Sequence, residues 1–576
     1  MKTKFFTIVS VTTAALIFMS CSSNGPTDQV DSLVYEESEV ATDVAGTQSQ
    51  GKDINYPAAP ETKQVMMLAA DSAPVRLKAM KYSAIAQHRS VEGAIGLPTP
   101  SYAQPNRESY NAVEENRFIN AQNDSLSTFS IDVDTASYAN VRRMINSGQI
   151  PPVGAIRAEE MINYFQYRYP EPQGTMPLTV ATEIGPSPFH EGYQLLKIGM
   201  KARNLDREEA PPSNLVFLID VSGSMQHPNK LPLLKQSMGL LVKQLGASDR
   251  VSIVVYAGSD FIALNPTRGD QHQTIIQALE RLQPGGSTHA SSGITTAYQL
   301  ARQVFIPGGN NRVILASDGD FNVGVTSRGA LQELVEKERE DGINLTVLGF
   351  GMGNYHDDTM EILANKGNGN YAYIDSLLEA KKVLVKEMAG TLYTLAKDVK
   401  IQVEFNPSLV GAHRLIGYEN RALADEDFTD DRKDAGELGA GHRVTALYEL
   451  IPADHPDIPA LPELKYKKVS EVAEGGVENE LATIKVRYKP RGKERSELLL
   501  KTVHNQQSGN ETSDDFRFAA AVAGYSMLLR KSDHLSTFTW EDCLALIRNA
   551  RGDDPEGYRA EFLQLVEKSQ LLDNKG

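Results

Sequence analysis

The sequence predicts an α/β protein. A doubly wound, mainly parallel sheet is inserted in or flanked by a β-rich, sandwich-like unit, and a helical segment closes the chain. Three observations predict this. Between 213 and 396, short apolar runs alternate with segments of helical period. Before 205 and after 397, strand-like patterns follow one another without such alternation. From Asp515 to Leu572 apolar residues recur at helical spacing.

In chain order, Ser127–Asp134 alternates as a strand, and Ser137–Ile145 and Ile156–Phe165 carry helical spacing. Leu178–Ile184 and Tyr193–Met200 read as strands. In the α/β region the apolar runs are Leu215–Ile219, Val251–Tyr256, Val313–Ala316 and Leu345–Phe350. Runs without polar alternation are expected of strands buried on both faces. The helices between them are Lys230–Leu245, Thr274–Arg281, Ser291–Val304, Ala330–Asp341 and Asp357–Lys366. Strands then return at Val399–Phe405, His413–Tyr418, Val444–Leu450 and Ala482–Tyr488. They can recruit the strands before 205, which would make the α/β domain an insertion.

The chain has 576 residues and a net charge of -16, a balance that argues against a nucleic-acid footprint. Only two cysteines are present, too few for a zinc site. Cys543 lies in the apolar stretch Trp540–Ile547 and reads as a buried small hydrophobe. Residues 1–20 read as a secretory signal, with Lys2 and Lys4 ahead of the apolar stretch Phe5–Met19. Its end, Phe18-Met-Ser-Cys21, resembles the bacterial lipoprotein signal. That resemblance implies lipidation of Cys21 and attachment to an envelope membrane, most simply the outer one, with the folded part periplasmic or surface-exposed. Residues 21–107 are polar, without sustained period, and read as a flexible tether. Roughly 85 residues of coil would reach about 50 Å. The remaining divisions are a flanking segment (108–205), the α/β domain (213–396), a β-rich domain (397–512) and a helical segment (513–576).

The chemistry is expected at the carboxyl ends of the parallel strands. The first strand runs into Asp220-Val-Ser222-Gly-Ser224, which can turn three oxygens toward one point. Pro284-Gly-Gly-Ser-Thr288 places a hydroxyl at a second loop mouth, and Asp318 follows the strand Val313–Ala316. Hydroxyl and carboxylate oxygens suit a hard cation such as Mg²⁺, with Mn²⁺ or Ca²⁺ as alternatives. Few carboxylates are committed, so the cation keeps positive charge for an anionic ligand.

This three-part pattern, Asp220/Ser222/Ser224, Thr288 and Asp318, resembles the metal-ion-dependent adhesion site of von Willebrand factor A domains. The flanks Ser127–Ser137, Ile156–Phe165 and Asp318–Asn322 are similar to bacterial secreted A-domain proteins with a C-terminal domain of unknown function. The resemblance implies that Ser222, Ser224 and Thr288 touch the metal directly while Asp220 and Asp318 act mainly through water. It implies a protein partner whose Asp or Glu carboxylate fills the open position, with Met225, His227 and Phe321 giving specificity. It also implies that ligation shifts the last helix, near Leu378–Leu395, and passes a signal into the β unit at Lys397.

Competing readings are weaker. Asp132-Val-Asp134 lacks the helix-opening Thr of an aspartate-nucleophile phosphatase, because position 136 is Ala. Gly349-Phe-Gly-Met-Gly353 lacks the last spaced glycine of a dinucleotide site. His289 and Asp320 read as loop residues rather than ligands. The expectation is therefore a binding protein and not an enzyme. Its alternatives are an envelope scaffold with a structural metal, or a hydrolase housed in residues 400–570.

Overall fold

The strands before residue 205 do not stand alone; β1, β2 and β4 pair with strands from beyond the α/β region, and β3 pairs with β4. The structure, a computed structural model, describes residues 108–205, 209–257, 259–285, 290–319, 328–353, 355–460, 479–505 and 511–574. The signal, the tether with Cys21, and Thr288, His289, Asp320 and Phe321 lie outside the described residues.

The N-terminal part supplies β1 (Ile119–Asn120), β2 (Leu126–Ser130), α1 (Ala136–Asn146), α2 (Ala158–Asn163), β3 (Leu178–Pro186) and β4 (Gln194–Ala202). The strand expected over Ser127–Asp134 stops at Ser130. Beyond it the carboxylates of Asp132 and Asp134 capture donors and hold the chain as a loop. Asp132 Oδ1 accepts the Asp134 N–H at 2.9 Å, and Asp134 Oδ1 accepts the Tyr371 N–H at 2.8 Å. The helix expected over Ile156–Phe165 is likewise shorter, beginning only at Ala158.

The inserted region comprises β5 (Ser213–Asp220), α3 (Leu231–Val242), β6 (Arg250–Ala257), β7 (Ser259–Arg268), α4 (His272–Glu280), α5 (Ala290–Gln303) and β8 (Asn310–Ser317). It continues with α6 (Arg328–Glu340), β9 (Ile343–Phe350), α7 (Asp357–Lys366), β10 (Tyr371–Ile374), α8 (Leu377–Lys381) and α9 (Met388–Leu392). The strand order is β10-β9-β8-β5-β6-β7, parallel throughout except that β7 runs antiparallel to β6. All eight residues of β5 and of β8 are buried, the apolar runs Leu215–Ile219 and Val313–Ala316 together with the polar residues that flank them. Leu234, Ile275 and Val383 pack on one face of the sheet, and Ile294, Leu331 and Met360 on the other. The single last helix expected near Leu378–Leu395 is in fact two short helices joined by a π-helical turn over Lys382–Lys386.

After the insertion come β11 (Thr394–Phe405), β12 (Val410–Ile416), β13 (Gly436–Gly439), β14 (Arg443–Pro452), β15 (Glu480–Pro490) and β16 (Glu497–His504). Three helices follow, α10 (Asp514–Arg530), α11 (Trp540–Asn549) and α12 (Tyr558–Asp573). One antiparallel sheet has the order β1-β12-β14-β4-β3, and the other β13-β11-β15-β16 with β2 also on β11. The two share a core of Leu196, Ile198 and Met200 from β4 with Val399, Ile401 and Val403 from β11. The intervening residues of β4 face the other way. Leu195 joins the core built by α10–α12, and Gly199 leaves room for the Tyr169 ring, since a Cβ there would meet Tyr169 Cε1 at 2.0 Å. Cys543 is buried in that helical core. Among the described residues no helix is long and apolar enough to cross a membrane.

Candidate metal centre

Asp220 is the last residue of β5, and the register of β5 with β6 and β8 sets its surroundings. It is fully buried. Its Oδ1 accepts the Ser222 N–H at 2.8 Å, which curls the loop, and its Oδ2 accepts the Ser317 hydroxyl at 3.1 Å from the end of β8. The hydroxyls of Ser222 and Ser224 lie 2.9 Å apart. Asp318 follows Ser317 directly and is also buried. Three of the expected ligands are thus joined by short contacts at the carboxyl end of β5, with Asp318 on the adjacent strand end.

Thr288 lies outside the described residues, and the chain leading to it runs through Gly285. Gly285 N donates to Val221 O at 2.8 Å, which fixes the second loop against the first three residues before Thr288. On the far side of that loop, Gly293 of α5 packs so closely on Tyr256 that a Cβ would approach Tyr256 Cβ to 2.9 Å.

The electrostatics fit a cation. Burial pushes the Asp220 carboxyl up to about 6, and the negative charge of Asp318 adds to this. The Ser222 N–H and the hydroxyls of Ser222 and Ser317 only partly offset it. A positive ion beside Asp220 would relieve the burial and the neighbouring charge that disfavour its ionised form. Geometry agrees: two oxygens at right angles on a cation with bonds of about 2.0–2.1 Å are about 3 Å apart, close to the Ser222–Ser224 hydroxyl spacing. Among the described residues no group of three or more His, Cys, Asp or Glu could hold a metal ion, so any site here depends on the hydroxyls.

One residue was not anticipated. Lys230 precedes α3, and its Nζ donates to Asp318 Oδ2 at 2.8 Å. The ammonium opposes the helix dipole at that end, and α3 has no acidic residue in its first turn. A lysine opening a helix just after Asp220–Ser224 is the sequence signal that could have found it. One expectation is corrected: Met225 is fully buried in the core under α3 and cannot contact a partner, whereas His227 is exposed. In Gly349–Gly353, Gly349 and Gly351 serve packing, whereas Gly353 has φ +101° and open space around it. A Cβ at Gly349 would fall 1.8 Å from the Tyr355 hydroxyl, and one at Gly351 would fall 2.3 Å from Lys230 Cε.

Comparison with known proteins settles the family. Residues 214–387 match the model described as von Willebrand factor type A domain. Residues 104–197 match that described as von Willebrand factor, and residues 390–572 that described as Uncharacterized protein YfbK, C-terminal. The protein of Escherichia coli (strain K12) described as Uncharacterized protein YfbK is 43% identical over 473 residues, which is 81% of either chain. The chain belongs to the YfbK family of von Willebrand factor type A proteins. Beyond that family, the pig (Sus scrofa) inter-alpha-trypsin inhibitor heavy chain H2 is 28% identical over 169 residues, 27% of this chain and 18% of that protein. A solved von Willebrand factor type A structure from Catenulispora acidiphila covers 65% of this chain and 87% of its own, at 14% identity and a TM-score of 0.36. In the YfbK-family protein the A domain is the inserted unit, and the YfbK C-terminal model covers β11–β16 and the helices behind them.

Proposed function

We propose that this YfbK-family protein is a metal-dependent binding protein of the bacterial cell envelope and not an enzyme. Asp220, Ser222, Ser224, Thr288 and Asp318 hold one divalent cation, Mg²⁺ in the first instance. The cation supplies an open position for an Asp or Glu carboxylate of a protein partner. A lipid at Cys21 keeps the folded part near a membrane.

The observation that carries this reading is the joined set at the end of β5: Asp220 bonded to Ser222 and Ser317, beside the hydroxyl pair of Ser222 and Ser224. Such oxygens suit a hard ion and leave it undercompensated in charge. Around it, exposed loop residues such as His227 are available to a partner.

Calorimetric titration of Mg²⁺ into wild type and Asp220→Ala tests the reading. Wild type should bind one ion and melt at higher temperature with Mg²⁺ present; Asp220→Ala should do neither. Equal heats and equal thermal shifts in the two proteins would reject the metal role.

A further inference from the structure

We propose that Lys230 is a resident cation of this centre and makes divalent-ion binding and anion capture depend on each other. The inference rests on the metal-dependent reading above. Its starting point is the ion pair between Lys230 Nζ and Asp318 Oδ2, 2.8 Å long, with side chains 10% and 1% exposed.

The lysine is held in place from several sides. Its N–H donates to His227 O at 3.0 Å, and its carbonyl accepts the Leu234 N–H of α3 at 2.8 Å. Its stem runs over Gly351, which has φ +79° and no room for a Cβ. The ammonium therefore cannot simply swing into solvent when an ion arrives, as a surface lysine would.

Charge counting gives the consequence. Asp220 and Asp318 carry two negative charges, and Lys230 cancels one. A divalent ion then leaves the centre with one net positive charge, whereas without the lysine it would be neutral. A like charge beside the ion lowers its affinity when it binds alone, and the effect is large where water is excluded. The same surplus charge attracts a single carboxylate, which in turn holds the ion. Such linkage is reciprocal: the anion must raise ion affinity by the same factor by which the ion raises anion affinity. Lys230 thus sets the site to bind its ion firmly only together with a monoanionic group.

The test measures Mn²⁺ affinity of the full chain by calorimetry, with and without acetate at constant ionic strength. In wild type, acetate should tighten Mn²⁺ binding by about fivefold or more. Lys230→Gln and Lys230→Met, the latter keeping the apolar stem, should bind Mn²⁺ alone about fivefold or more tightly than wild type and respond less to acetate. Lys230→Arg, which keeps the charge, should behave as wild type. Absence of an acetate effect in wild type would overturn the inference. So would unchanged or weaker Mn²⁺ binding in both neutral variants, which would make Lys230 only a prop for Asp318. Absence of Mn²⁺ binding in every protein would instead sink the metal reading itself.

Discussion

Replacing Glu159 by Gln should stabilise the protein, by an amount that grows as pH rises from about 4.5 to about 7. Glu159 lies in α2 and is 1% exposed. Its Oε2 accepts the Tyr418 N–H at 3.0 Å, while its Oε1 has no hydrogen-bond partner among the described residues. Burial, then the charges of Glu419 and Asp132, push its carboxyl up to about 7, with Arg530 only partly opposing them. In the unfolded chain the same group titrates near 4.5. The folded protein therefore holds this proton more tightly. The stability it confers is fully present below about 4.5 and is lost as pH rises through about 7. At about 1.36 kcal/mol per pH unit, the ionised group at pH 8 costs on the order of 3 kcal/mol. Glutamine keeps the acceptor for Tyr418 and never ionises. Urea unfolding from pH 4 to 8 should show the variant level with wild type at pH 4 and more stable by roughly 1–3 kcal/mol at pH 8. A stability difference that does not change with pH, or that favours wild type at pH 8, would refute the reasoning.

Arg142→Met should destabilise by about 3–5 kcal/mol, read by denaturant unfolding, because it leaves buried carboxylates uncompensated. Arg142 bonds Asp375 and Glu379 of the A domain, the Tyr164 hydroxyl and Glu561 of α12 at 2.6–2.9 Å. Cys21→Ser should move the protein from the membrane to the soluble fraction on cell fractionation; retention of the variant at wild-type level would reject the lipid anchor.

The alternation of apolar runs and helices made the A-domain framework legible, because a parallel sheet covered on both faces has to be written as continuous hydrophobic strands. Val251–Tyr256 and Leu345–Phe350 were readable for that reason. Edge strands were not. β7 contains Asn265 and Pro266 and pairs on one side only, and β10 has just four residues. Most sandwich strands were readable, but not β1, β13 or β16, nor the pairing, since nothing local in Leu126–Ser130 names β11 as its neighbour far along the chain. At the carboxyl ends of β5 and β8, the positions of Asp220, Ser222, Ser224 and Asp318 were legible from their places after strands. Lys230 was not, because its partner Asp318 lies in a different loop. Met225 was misassigned for a similar reason: a methionine between exposed serine and glutamine looks like surface until the core beneath it is seen.

The manner of insertion decides whether a ligand can move the A domain. The two connections meet at the amino end of β5, where the hydroxyls of Ser213 and Tyr393 are 3.4 Å apart. The Asp220–Ser224 loop lies at the other end of that strand, about 23 Å away at about 3.3 Å per residue. If these were the only attachments, the domain could pivot. It is held elsewhere by buried pairs. Arg157 Nη1 meets Asp357 Oδ2 at 2.6 Å at the start of α7, and Arg142 holds Glu379 in α8. Near that end, Ser109 bonds His356 and Asp358, while the His356 backbone packs against Gly319 beside Asp318. A shift of α8 on ligation would open the Arg142 pairs, at about 3–5 kcal/mol. Coupling between two ligand sites typically supplies only about 1–3 kcal/mol. On these magnitudes the lock outweighs the coupling, and a ligand bound at the loops of the A domain would leave α8 in place.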